Sequence, residues 1–247
     1  MSASIYNLNA IPVSKPDLNP WPLNIATYNI HRAVGTDGRF SPERIIGVLK
    51  EINADVVALQ EVPLGGENFP NVLLLLQQAT GYYVTEGHTF SVSGRRYGNA
   101  VMSRYPITET RAIDISFGSH EPRGALDADI DCHGHPLRVI ATHLGLRISE
   151  RQEQIRKLLQ VFDTDQMPVI LLGDVNEWFI WGKSLKWLVS RFEAVPAPAT
   201  FPSRWPLLAL DRIWIHPRHR LVHVNAHSSP LAKVASDHLP LVAHIDG

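Results

Sequence analysis

Hydrophobic residues along this chain come in short runs that suit strands more than long helices. Runs over residues 23–28, 56–59, 99–102, 125–130, 137–142, 169–172, 212–215 and 239–245 predict strands. Two helices announce their starts. Ser41 followed by Pro42 reads as an N-cap and first-turn pair, with Ile45, Val48, Leu49 and Ile52 on one face and an end before Asn53. Ser149 with Gln152 three residues on reads as a capping box, with Ile155, Leu158, Leu159 and Phe162 on one stripe and Arg and Glu on the other face. Weaker helical patterns cover 71–79 and 183–191. Many strands with few helices predict a layered α/β protein, a sandwich of two sheets covered by helices.

Residues 1–22, with Pro12, Pro16, Pro20 and Pro22, read as an extended lead-in, and residues 23–247 as one domain without repeat or low-complexity linker. No run is long enough for a membrane-spanning helix, and no basic stretch precedes an apolar one at the N-terminus, so the expectation is a soluble, cytoplasmic protein.

Composition narrows the chemistry. Cys132 is the single cysteine, which excludes an intramolecular disulfide and any multi-Cys metal site built from this chain alone. The 23 basic and 24 acidic residues leave a net charge of −1, without the basic excess expected of bulk nucleic-acid binding. Arginine outnumbers lysine among the basic residues, a bias toward the planar fork that suits phosphate or carboxylate, or simply toward GC-rich codons. The 12 histidines raise the question of a histidine-rich metal site.

Five apolar segments stop at, or follow, a polar ligand type: Asn29 after Ala26-Thr27-Tyr28, Glu61 after Ala58-Leu59-Gln60, His143 after Ile140-Ala141-Thr142, Asp174 and Asn176 after Leu171-Leu172-Gly173, and Asp237-His238 before the last run. A lone Asn or Asp at a strand end is more often a turn former than a ligand, but the repetition points to a shared site. Glu61, Asp174 and Asp237, with Asn amides, are hard oxygen donors that suit Mg²⁺ or Mn²⁺ better than zinc, and no HExxH or Cys cluster is present. A Ser/His/Asp triad lacks its GxSxG elbow, and consecutive Ser236, Asp237 and His238 cannot form one. Neither GxxxxGK[ST] nor GxGxxG opens a helix.

The set YNIHR, LQEV, YGNAVMSRYP, THLG, GDVNEW, LDRIWI and SDHLPL, in this order over residues 23–245, resembles the endonuclease/exonuclease/phosphatase superfamily. The resemblance implies a four-layered α/β/β/α sandwich of two mixed sheets with outer helices, and a Mg²⁺-dependent hydrolase of phosphate esters, with Mn²⁺ as the alternative cation. By the same resemblance Glu61 is the principal metal ligand, with Asn29 beside it and Asp237 completing the shell. Asp174 orients or deprotonates the attacking water, and Asn176 donates to a phosphate oxygen. His143 and His238 flank the phosphorus and Asp211 holds His238, while general-acid action by His143 lacks the glutamate that supports it in the deoxyribonuclease I branch, with Asn99 or Tyr97 as the substitute in the YGNAVMSR segment. Arg123 and Asn99 are the implied phosphate-side contacts. Arg95, Arg96, His31 and Arg32 are equally well read as turn or loop residues. Trp187 and Trp214 fall on buried periodicities, whereas Trp178 and Trp181 lie in a loop beside GDVNEW.

The expected partner is a phosphate-ester substrate, a small or lipid-derived phosphodiester before nucleic acid, with a membrane surface only as its source and no obligate protein partner. A nuclease is the alternative. A catalytically silent binding module is the alternative of another class, set against the retention of all eight core positions from Asn29 to His238.

Overall fold

In the computed structural model, which describes residues 19–162, 167–179 and 182–247, alternation of buried side chains builds two facing sheets. Residues 1–18 of the expected lead-in lie outside the described residues, as does Trp181.

The first sheet contains β1 (Leu23–Asn29), β2 (Val56–Gly66), β3 (Phe69–Asn71), β4 (Tyr83–Val92), β5 (Arg95–Ser103), β11 (Leu221–Ala226) and β12 (Leu241–Ile245). Its order is β11-β12-β1-β2-β5-β4, with β3 paired to β2. The second sheet joins β6 (Ile107–Asp114), β7 (Gly124–Cys132), β8 (His135–His143), β9 (Val169–Asp174) and β10 (Asp211–His216) in the order β10-β9-β8-β7-β6. Both sheets are mixed: β1 runs parallel to β2 and β8 parallel to β9, while the other pairs are antiparallel.

Strand parity assigns the layers, because successive side chains point to opposite faces. Leu23 and Ile25 of β1, Val139 and Ala141 of β8, Ile170 and Leu172 of β9, and Ile213 and Ile215 of β10 fill one cluster between the sheets. Ala26 and Tyr28 of β1 face the other way, onto Ile45, Val48 and Leu49 of α1 (Pro42–Ile52) and Leu73 and Leu76 of α2 (Val72–Thr80). On the far side Ile140, Leu171 and Trp214 pack against Ile155 and Leu158 of α3 (Ile148–Val161) and Leu185, Leu188 and Phe192 of α4 (Lys183–Phe192). The result is the expected α/β/β/α order. One short helix, α5 (Ala232–Ala235), adds to the α1 side.

Strands β4, β6 and β11, and the three-residue β3, are absent from the sequence expectation. The first two are sheet edges whose exposed and half-buried positions alternate among polar residues, so they lack a continuous apolar signal. The start of α3 is also corrected. The helix opens at Ile148 with Arg147 as N-cap, and the Arg147 N–H donates to Glu150 Oε2 at 3.4 Å, so Ser149 is already helical. Its charged face is not uniformly solvated: Glu150, Arg151 and Gln154 are buried.

Candidate active site

The same parity that builds the core builds the site. Asn29, His143, Asp174 and Asp211 share the inward face of their strands with the core aliphatics and sit where the apolar filling stops. Register then aligns them: His143 is opposite Asp174 across the parallel β8–β9 pair, and Asp211 opposite Asp174 across β9–β10. Glu61 follows the inward Gln60 and by alternation faces away. A register shift between Leu59 and Val62, with Glu61 at φ 55°, turns its carboxylate back toward Asn29. Asn176 at φ 49° and the run His31, Arg32 and Ala33, all at positive φ, place further left-handed non-glycine backbone around the same sheet edge.

Asp174 is the hub. Its Oδ1 accepts from the Asn176 N–H at 3.0 Å and its Oδ2 from Asn29 Nδ2 at 3.1 Å. The Nε2 atoms of His143 and His238 stand 3.5 and 3.6 Å from Oδ2. Burial, with Asp211 adding like charge against the opposing pull of His238, raises the Asp174 carboxyl to about 7.

His238 reaches the hub from the loop before β12, anchored where Ser236 Oγ donates to Asn29 O at 2.7 Å. Its Nδ1 lies 2.8 Å from Asp211 Oδ2, which also accepts from Thr200 Oγ1 at 2.6 Å, and the Phe201 ring packs against the imidazole. Burial opposes protonation, yet Asp211, Asp174 and Asp237 outweigh it and raise the group to about 10. His238 is an imidazolium at neutral pH.

His143 meets the opposite partner. Arg123 Nη1 donates to its Nδ1 at 3.0 Å, which places the ring proton on Nε2, facing Asp174. Burial, Arg123, His238 and Arg32 all push this histidine well below its usual range. A ring held this way presents its Nε2–H as a hydrogen-bond donor, and the group at its Nδ1 is an arginine. Nothing in the sequence pairs Arg123 with His143. The pairing of β7 with β8 brings Arg123, just before β7, beside His143 at the end of β8, and the guanidinium also meets Glu121 at 3.1 Å.

The remaining expected residues are near but differently engaged. Asn99 and Arg123 line one cleft with Glu61 and His143, and Asn99 Nδ2 donates to Gly124 O at 2.8 Å. Asn176 Nδ2 gives one hydrogen to Leu144 O at 2.9 Å. Asn29 Nδ2 also approaches Glu61 Oε1 at 3.4 Å, while its Oδ1 accepts from the His31 N–H. Asp237 faces His31 Nδ1 at 3.7 Å. Arg32 Nε lies 3.4 Å from Glu61 Oε2.

This donor set fits a hard divalent cation. Four carboxylates, Glu61 from the first sheet, Asp174 and Asp211 from the second and Asp237 from the loop before β12, border the site, and Oδ1 of Asp211 is buried without a partner. Asp174, Asp211 and His238 present ligand atoms all within 4.8 Å of one another, but a protonated His238 repels a cation. Half-buried Glu61, whose counter-charge Arg32 is itself half exposed, and half-buried Asp237 are the accessible carboxylates, while Asp174 and Asp211 are buried.

Two packed sheets whose strand ends converge on carboxylates and two histidines define the class of metal-dependent phosphoesterases. The sequence profile of the endonuclease/exonuclease/phosphatase family matches residues 26–238, and the chain belongs to that family. It is 32% identical to the uncharacterized protein YbhP of Escherichia coli over 90% of this chain and 95% of that one. Among solved structures it resembles an endonuclease/exonuclease/phosphatase from Beutenbergia cavernae, with TM-score 0.75, 24% identity, and coverage of 91% of this chain and 71% of that one. It also resembles D. rerio TDP2 complexed with a single-strand DNA product, with TM-score 0.68, 20% identity, and coverage of 92% and 100%.

Proposed function

We propose that this protein is a Mg²⁺-dependent phosphodiesterase acting on a small or lipid-derived phosphodiester through in-line attack of water at phosphorus. The observation that carries the reading is Asp174: a buried carboxylate raised to about 7 and fixed by Asn29 and Asn176 between a cationic and a neutral histidine. A base of that strength works near neutral pH. Asp174 takes a proton from water as the new P–O bond forms, and the opposite P–O bond breaks, its oxygen leaving as an alkoxide that takes a proton from solvent to become the alcohol. His238 brings positive charge and an N–H to the phosphoryl oxygens, while His143 Nε2–H and the free Asn176 amide hydrogen add neutral donors. Glu61 and Asn29, with Asp237, would hold the cation, which when bound supplies charge neutralisation at the phosphate and leaving oxygen.

A nuclease is the second reading, favoured by the fold shared with a protein bound to a single-strand DNA product and opposed by the near-neutral charge. The deciding experiment is hydrolysis by purified protein, with Mg²⁺ against chelator, of bis-nitrophenyl phosphate, phospholipids, inositol phosphates, RNA and DNA. Expected are chelator-sensitive turnover of the small or lipid diesters and its loss in Asp174→Asn. Turnover of nucleic acid alone, with binding that falls steeply as salt rises, would replace this reading by the nuclease one.

A further inference from the structure

The loops that follow His143 and Asp174, with the first residue of α3, carry large apolar side chains into solvent. Leu146 is 66% exposed, Ile148 55%, Trp178 54% and Phe179 49%. Together with Arg147 and Gln152 they line one open groove. Loop residues of this size normally fold inward, because burying one is worth roughly 1.5–3 kcal/mol.

Beneath them, buried polar groups tie the two loops together. Arg151 and Glu177 form an ion pair at 3.2 Å with both side chains almost fully buried. Arg151 also donates to Gly145 O at 3.3 Å and Leu146 O at 2.6 Å, and Glu177 Oε1 accepts from the Phe179 N–H at 3.3 Å. Gln154 Oε1 accepts from the Gly145 N–H at 2.8 Å while its Nε2 donates to Glu150. The exposed residues therefore ride on a polar clamp that bolts both loops to α3.

Charge identifies the occupant. In the described residues of 144–149 and 175–186 the exposed charges are Arg147, Lys183 and Lys186, while the carboxylate Glu177 is buried and paired. An apolar face with a tryptophan, on segments whose exposed charges are all cationic, matches the headgroup and upper acyl region of an anionic bilayer. Aliphatic Leu146 and Ile148 offer a nucleobase no stacking face.

We infer that Leu146, Ile148, Trp178 and Phe179 form a docking face for an anionic lipid surface, held beside the Asp174 site. That the docked protein then draws its phosphodiester from that surface rests on the function proposed above; the docking itself does not.

Co-sedimentation of the full chain with phosphatidylglycerol/phosphatidylcholine vesicles tests this, alongside hydrolysis of soluble bis-nitrophenyl phosphate and sedimentation velocity. The wild type is expected to pellet with the vesicles, with a blue-shifted tryptophan emission that Trp178→Ala weakens. Leu146→Glu/Ile148→Glu is expected to reduce vesicle binding more than tenfold and leave soluble-substrate turnover unchanged. Vesicle binding that is absent, or unaffected by these substitutions, overturns the inference, as does a wild-type dimer that the same substitutions dissociate, since the face then belongs to a second copy. Should vesicles bind while no phosphodiester is cleaved, the docking face stands and the proposed reaction falls.

Discussion

His143 and His238 stand within 0.1 Å of the same distance from Asp174 Oδ2, 3.5 and 3.6 Å, and both are buried, yet they hold opposite charge states. Burial lowers both. The difference is made at Nδ1, where His238 meets the Asp211 carboxylate and His143 the Arg123 guanidinium. A second shell of one anion and one cation thus divides two chemically identical rings into a charged and a neutral donor. Asp174 faces both, and its raised pKa follows from burial that His238 and the hydrogen bonds from Asn29 and Asn176 do not fully offset.

The most severe way to break the pair is to remove what they share. Asp174→Asn takes away the base and the anion that both Nε2 atoms face, and turnover of a cleaved diester should fall by several orders of magnitude, since a positioned base alone contributes ~10²- to 10⁴-fold. Unchanged kcat in a folded variant would remove Asp174 from the reaction.

Next in size is Asp211→Asn, which leaves His238 without its countercharge. A fall in kcat of ~10²- to 10³-fold is expected, the usual effect of losing one transition-state donor. The alkaline limb of the pH profile should also move down from about 10. Stability follows the same sign. A histidine raised in the folded state contributes stability that is complete below its unfolded value, roughly 6.5, and lost as pH rises. In the wild type that loss runs up through about 10. His143, lowered in the folded state, contributes above roughly 6.5 and loses its contribution as pH falls below that value. Melting temperatures from pH 5 to 10 should therefore show an alkaline decline that Asp211→Asn flattens. A decline of equal depth in both proteins would contradict the charge assigned to His238.

Arg123→Gln inverts the other side. The glutamine amide can still donate to Nδ1 but carries no charge, so the pKa of His143 should rise and kcat fall by about tenfold, the loss of roughly 1.4 kcal/mol. Nitrogen shifts of the labelled imidazole report both the tautomer and the titration. A wild-type ring protonated on Nδ1 would reverse the assignment.

The site residues were legible because each is the polar end of an apolar run, and parity carries Asn29, His143 and Asp174 to the inner face without further information. Glu61 was legible as a residue type but not as a direction, since a β-bulge turns it against its alternation. The Arg123–His143 contact was not legible at all: 20 residues separate the pair, and a strand pairing decides it. The same holds for Arg151 and Glu177, which read as surface charges in an Arg/Glu-rich helix and a loop but form a buried ion pair, because Arg151 reaches loop carbonyls and Glu177 as well. Edge strands β4 and β6 escaped for a related reason, since side chains half in water carry little hydrophobic pattern.

The smallest expected effect sharpens the comparison most, because it separates contact from field. Arg32 also lowers the pKa of His143, but no hydrogen bond joins them; its Nε faces Glu61 at 3.4 Å and its side chain is 49% exposed. Solvent and salt screen such a charge, and exposed pairs are worth about 1 kcal/mol or less. Arg32→Gln should therefore raise the pKa of His143 by less than Arg123→Gln does, and the difference should fade in high salt, whereas the effect of Arg123→Gln should persist because that guanidinium is nine-tenths buried. Turnover should change by less than about fivefold, which ~1 kcal/mol allows. Imidazole titrations of both variants at low and high salt measure this directly. If Arg32→Gln moves His143 as far as Arg123→Gln, the neutral state of His143 is a property of the whole cationic rim and not of the single donor at Nδ1.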